Sequence, residues 1–215
     1  FGLEQINISL LPRGDVRFLD GLLVEMCSTF RKLPASLLRK AGARTHLVPL
    51  LRVDQPSIIQ GARIAMTHII ANDPCTDDAE DEGLISTVLE IIEDHDAHSK
   101  FMATKLLRTL CMSEDGAATA CSLDAISTLA GFLGHPMCFY SLKKQVVGIF
   151  DLLARDVTAS VEIRKVGVIP LLVSFLRNIR KAEMDKATDD DDGVLRNAGL
   201  VVKVADVITR VRGFA

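Results

Sequence analysis

The chain has 215 residues, with 25 Lys and Arg against 28 Asp and Glu and a formal net charge of −3, and it is 48% hydrophobic but only 5% aromatic. That length supports a sizeable buried core, and the apolar bulk is Leu, Val, Ile and Ala, the material of helix packed on helix. A pI near 6.0, with no basic stripe interleaved with aromatics along the sequence, speaks against a nucleic-acid partner, and no apolar run approaches the roughly 20 residues that cross a bilayer.

Taken in chain order, the apolar segments repeat one phrase. A faint first copy covers 1–33, because Gly2 stands 40 residues before Gly42 and Leu10-Leu11 fall in phase, although Asn7 occupies a position meant for a buried leucine. In the second copy, 34–76, Pro34 to Ala41 predicts a short helix and Ala41-Gly42 a left-handed stop. His46-Leu47-Val48-Pro49-Leu50-Leu51 then predicts a second helix, and Ile58, Ala62, Ala65, Met66, Ile69 and Ile70 a third at helical spacing.

The third copy, 77–115, runs from Asp77 to Glu82, turns at Gly83, continues through Val88-Leu89-Glu90-Ile91-Ile92, and closes on Ala103, Leu106, Leu107 and Leu110. The fourth, 116–158, has Asp124 where the glycine should stand, then Leu129-Ala130-Gly131-Phe132-Leu133 and a third helix through Leu142, Val146, Ile149 and Phe150. The fifth, 159–215, has Gly167-Val168-Ile169-Pro170-Leu171-Leu172-Val173-Ser174-Phe175-Leu176 and a last helix through Val194, Ala198, Val201, Val202 and Ala205. Successive corners stand 41, 41 and 43 residues apart, at 42, 83, 124 and 167. A period of that length signals stacked helical units, which bury a shared core and offer a long binding surface.

The glycine-led phrase, and Gly167 to Leu176 most closely, resembles the armadillo repeat. The resemblance implies an all-α, right-handed superhelical solenoid of four to five three-helix repeats, whose third helices line a concave groove. In nuclear import adaptors and catenins an asparagine ladder on those helices grips an extended peptide. The corresponding positions here are His68, Thr109, Leu152 and Val204, and the chain has no Trp. Leu and Val cannot both donate to and accept from a peptide backbone, so import-signal reading is not expected.

The groove-facing offsets of the third helices place Ile64, His68, Met102, Lys105, Thr109, Gln145 and Asn197 as candidate partner-binding residues. That mixed surface suits a helix or a folded protein better than an extended peptide. Charge is uneven along the chain: residues 1–65 carry +4, 66–100 carry −9 and the remainder +2. Asp77, Asp78, Glu80, Asp81 and Glu82 form an acidic band, either a solvated face or a docking site for a basic partner.

The fifth copy holds an acidic insertion at 181–193, read as a loop. It does not read as a calcium loop, since Asp190, Asp192 and Gly193 would put Gly199 where a bidentate glutamate belongs. His95 and His98 lack the i, i+4 spacing and the third ligand of a metal site. No nucleophile elbow or phosphate loop occurs, so neither enzyme nor cofactor is expected.

Five cysteines without a C-x-x-C pair read as free thiols, and hence as a cytoplasmic protein, with the nucleus or cytoskeleton as alternatives. Starting at Phe1, the chain reads as a segment of a longer protein. The leading expectation is a non-catalytic scaffold that binds a partner protein on its concave face. An Hsp70 exchange factor or myosin-directed co-chaperone, and the accessory arm of a larger kinase or ubiquitin ligase, are the alternatives.

Overall fold

The computed structural model describes residues 34, 37–38, 43, 47–52, 56–72, 78–94, 97–135, 138–186 and 192–213. Among them all regular structure is helical. A 3₁₀ turn at Pro49–Arg52 precedes α1 (Pro56–Asn72), α2 (Asp78–Asp94), α3 (Ala97–Leu110), α4 (Glu114–Ser122) and α5 (Ala125–Gly134). Then follow α6 (Tyr140–Leu153), α7 (Val157–Lys165), α8 (Val168–Lys186) and α9 (Asp192–Gly213). The expected repeat at 1–33 and the corner at Gly42 lie outside the described residues.

Packing follows the repeat. The third helices α1, α3, α6 and α9 contact one another in that order, forming a ladder. The second helices α2, α5 and α8 make a parallel row, each packed on the third helix that follows it. Short first helices α4 and α7 lean on α6 and α9. The core is one continuous layer, mostly Ile, Leu, Val and Ala, drawn from both rows and the first helices, including Ile69, Ile85, Leu107, Ile126, Phe150, Ile163, Leu172 and Val207. These are the positions spaced three and four apart in the sequence, which is why an apolar stripe on each helix ends inside.

The first helices start on side-chain caps one repeat apart. Ser113 Oγ accepts the Gly116 amide at 3.1 Å, and Asp156 Oδ1 accepts the Ala159 amide at 2.8 Å. Each satisfies an amide that a helix start leaves open. The corner between first and second helices is left-handed in both repeats, with φ of 59° at Asp124 and +80° at Gly167. Aspartate tolerates that backbone better than most residues because its short polar side chain bonds locally. Here Asp124 Oδ1 accepts the Ser127 hydroxyl at 2.8 Å.

Gly83 departs from the expectation. Instead of a turn between two helices, it lies inside α2, which runs unbroken from Asp78 to Asp94. The acidic run ahead of it suits the positive end of a helix dipole. The Thr87 hydroxyl donates to the Gly83 carbonyl at 3.0 Å within the same helix. The insertion also differs from a loop over its whole length: α8 continues through Lys186 and α9 begins at Asp192.

Candidate functional site

The third-helix ladder carries the candidate site. Its four described helices hold ten Lys and Arg against three Asp, although the chain as a whole is at −3. Acid is concentrated instead on α2, which has seven Asp and Glu and no base.

The bases have different jobs. Lys100 Nζ donates to the Glu93 carbonyl at 2.6 Å, and Lys143 Nζ donates to the Leu133 carbonyl at 3.0 Å. Both lysines sit in the first turn of a third helix and reach back to the carboxyl end of the second helix before it, where carbonyls lack partners. Arg164 likewise donates to the Val211 carbonyl near the end of α9. Arg108 lies across α6: its guanidinium donates to Gln145 Oε1 at 3.2 Å and passes where Gly148 has no side chain. Arg210 pairs with Asp151 at 3.0 Å, joining α9 to α6.

Lys105 and Lys144 are held by rings instead. Lys105 Nζ sits 4.5 Å from the Phe101 ring centre, and Lys144 Nζ sits 5.6 Å from that of Tyr140. Both are i, i+4 pairs, and both members recur 39 residues later, so successive helices present the same aromatic–lysine couple. Phe139 meets Phe101 in a tilted ring contact with centres 6.0 Å apart, and Tyr140 meets Phe175 likewise at 5.9 Å. Lys100 lies over Phe132 at 5.6 Å. Bases and aromatics therefore alternate along α3 and α6, and the ring contacts of Phe139 and Phe101 bring the two helices' couples together.

Beside these couples opens a cleft of about 610 Å³, whose lining includes Glu93, Lys100, Thr128, Phe132, Phe139 and Leu142. Thr128 donates to Glu93 Oε1 at 2.8 Å, which ties α5 to α2 there.

The sequence-derived candidates divide. Met102 is buried. Ile64, His68, Lys105, Thr109 and Gln145 are half-buried, with Thr109 donating to the Lys105 carbonyl at 3.2 Å. Of the asparagine-ladder positions, Val204 is wholly buried. Asn197 falls in α9, but its side chain lies outside the description, as do those of Asp78, Glu80, Asp81 and Glu82 in the first turns of α2 and all of Asp77 and His95. Among the described residues no group of three His, Cys, Asp or Glu could hold a metal ion. No single described helix is long and apolar enough to cross a membrane. Phe101, Phe139, Tyr140 and Lys144 were not singled out from sequence; the paired F-x-x-x-K and Y-x-x-x-K spacing was the available signal.

Comparison with solved structures settles the architecture. A designed armadillo repeat protein in complex with the peptide (KR)4 superposes with a TM-score of 0.67 over 92% of this chain and 77% of that chain, at 16% identity. The chain has the armadillo fold. A computationally designed armadillo repeat protein for modular peptide recognition is similar at a TM-score of 0.65, 91% of this chain, 76% of that one and 16% identity. An engineered protein matches at 0.66, over 95% and 77%, also with 16% identity. No family model matches the chain. Among curated proteins, the serine/threonine-protein kinase Nek10 of Mus musculus is 29% identical over 94 residues. That stretch is 41% of this armadillo chain and spans 8% of the kinase.

Proposed function

We propose that the chain is a non-catalytic protein-interaction segment that receives another protein on its third-helix face. The observation carrying this reading is the ladder itself: adjacent helices that repeat a basic and aromatic couple in register, half-buried on α3 and exposed on α6. A regular array of matched contacts suits a long protein surface, and the armadillo neighbours designed for peptide recognition support it at the level of fold. In cells, a photo-crosslinking amino acid at Thr109 or Lys144 should give discrete protein adducts, while the same group at Ser174 on α8 should not. Equal adducts from Ser174 would reject the third-helix face.

The likeness to Nek10 favours a second reading, in which the segment regulates a kinase. Purified chain added to the catalytic domain of that kinase should then change its rate of substrate phosphorylation; an unchanged rate removes this reading.

A further inference from the structure

We infer that the face between α3 and α6 docks an acidic linear segment of a partner protein, whose carboxylates pair with Lys105 and Lys144 while a neighbouring apolar side chain enters the cleft of Phe132, Phe139 and Leu142. This deepens the protein-interaction reading above and rests on it.

On α3 and α6 the other charges are already engaged. Lys100 and Lys143 bond to helix-end carbonyls, Arg108 to Gln145, and Asp151, the acid of α6, to Arg210. Lys105 and Lys144 differ: among the described residues neither pairs with a carboxylate, and each rests on an aromatic face. A ring at that distance orients an ammonium group without cancelling its charge, since a cation–π contact at an exposed site is worth only about 0.5–1 kcal/mol. The ammonium donors remain open for charge-assisted bonds to carboxylates.

Geometry fixes the partner's spacing. Packed helices lie about 8–10 Å apart, and an extended chain advances about 3.3 Å per residue. Carboxylates roughly three residues apart thus reach both lysines. Phe139 belongs both to the aromatic contact under Lys105 and to the cleft wall, so an apolar residue next to a paired acid has an adjacent cavity to fill. These isolated positive points suit an extended peptide better than the helix or folded surface expected from sequence.

The test is fluorescence anisotropy with a labelled (Glu-Glu-Leu)4 peptide, against (Lys-Lys-Leu)4 and oligothymidylate, with far-ultraviolet circular dichroism to confirm that each variant is folded. Wild-type chain should bind the acidic peptide at least tenfold more tightly than the basic one, with affinity falling as salt rises. Lys105→Glu with Lys144→Glu should cost at least tenfold and should gain binding to (Lys-Lys-Leu)4, while Lys181→Glu on α8 leaves affinity unchanged. Equal binding of the two peptides, or a double variant of unchanged affinity, overturns the proposal. So does tighter binding of oligothymidylate, or self-association abolished by the double variant, which would make the acid-rich α2 of a second copy the occupant. Discrete adducts from Thr109 alongside no acidic-peptide binding would sink this proposal alone and leave the protein-interaction reading standing.

Discussion

Asp124 and Gly167 occupy the same corner of successive repeats, and both adopt left-handed backbone, although only one of them is glycine. A Cβ at Gly167 would meet nothing within 4 Å, so any cost of a side chain there is conformational. Gly167→Ala should lower stability by about 1 kcal/mol. Asp124→Gly should be nearly neutral, because relief of strain and added freedom of the unfolded chain oppose one another at about 1 kcal/mol each, while Asp124→Val should lose about 1–2 kcal/mol. Urea midpoints of the three variants check this; an Asp124→Val variant as stable as the parent would contradict it.

Gly83 predicts the opposite sign from Gly167 for the same substitution. It also has open space around its Cβ direction, but it lies in the interior of a continuous helix. Gly83→Ala should therefore raise stability, by up to about 1 kcal/mol. A decrease would show that the helix breaks at this residue in solution.

Lys100 and Lys143 bind the ends of α2 and α5 through equivalent contacts. Replacing either with Met keeps much of the apolar stem and removes the donor, which should cost about 0.5–1 kcal/mol. The two losses should add within error, since they lie in different repeats. Thermal melts of the single and double variants report the result; strong coupling would argue that the two helix ends form one unit.

Two buried glycines should respond differently to alanine. At Gly116 a Cβ would fall 2.3 Å from the Leu110 carbonyl oxygen, which is backbone and cannot step aside. Gly116→Ala should destabilise by about 1–3 kcal/mol through overpacking at the start of α4. At Gly148 the near atom is Arg108 Nε at 2.9 Å, on a long side chain that can swing away from Gln145. Gly148→Ala should cost less than Gly116→Ala, and chemical denaturation ranks the pair.

The thiols set an alkaline limit on stability. Burial, and then the neighbouring Cys121, push Cys111 far up; Cys121 is pushed up to about 11 by burial and then by Asp156 and Glu162. Native thiols thus keep protons that unfolded ones release above 9.0, so stability is full below that pH and falls as pH rises toward about 11. The fall should be shallower in Cys121→Ser, as followed by urea midpoints across that range. Cys138, raised by burial but drawn back by Lys143 and Lys100, should be alkylated first of the three.

The third helices were readable from sequence because a stripe of Ile, Leu and Ala at helical spacing has one way to be buried. The Asp124 corner was marked by its place in the period, and aspartate tolerates the left-handed backbone that the corner takes. Gly83 misled because glycine signals a turn only when the residues before it must stop, and Asp78 to Glu82 make a good helix start. The basic face was hidden for a different reason. Counting charge over 66–100 merged the acids of α2 with the first base of α3, and only packing separates them into two rows. Phe101 and Phe139 are far apart in the chain, and their contact arises from the stacking of α3 against α6.

Among the described residues the main contacts within the ladder run from each third helix to the next. A chain joined in that way opens from its margins inward, like a stack of plates losing its outermost members first. Amide protons of α3 and α6, clasped from both sides, should outlast those of α9, and a ligand laid across the central pair would tighten the segment whose opening already demands the most.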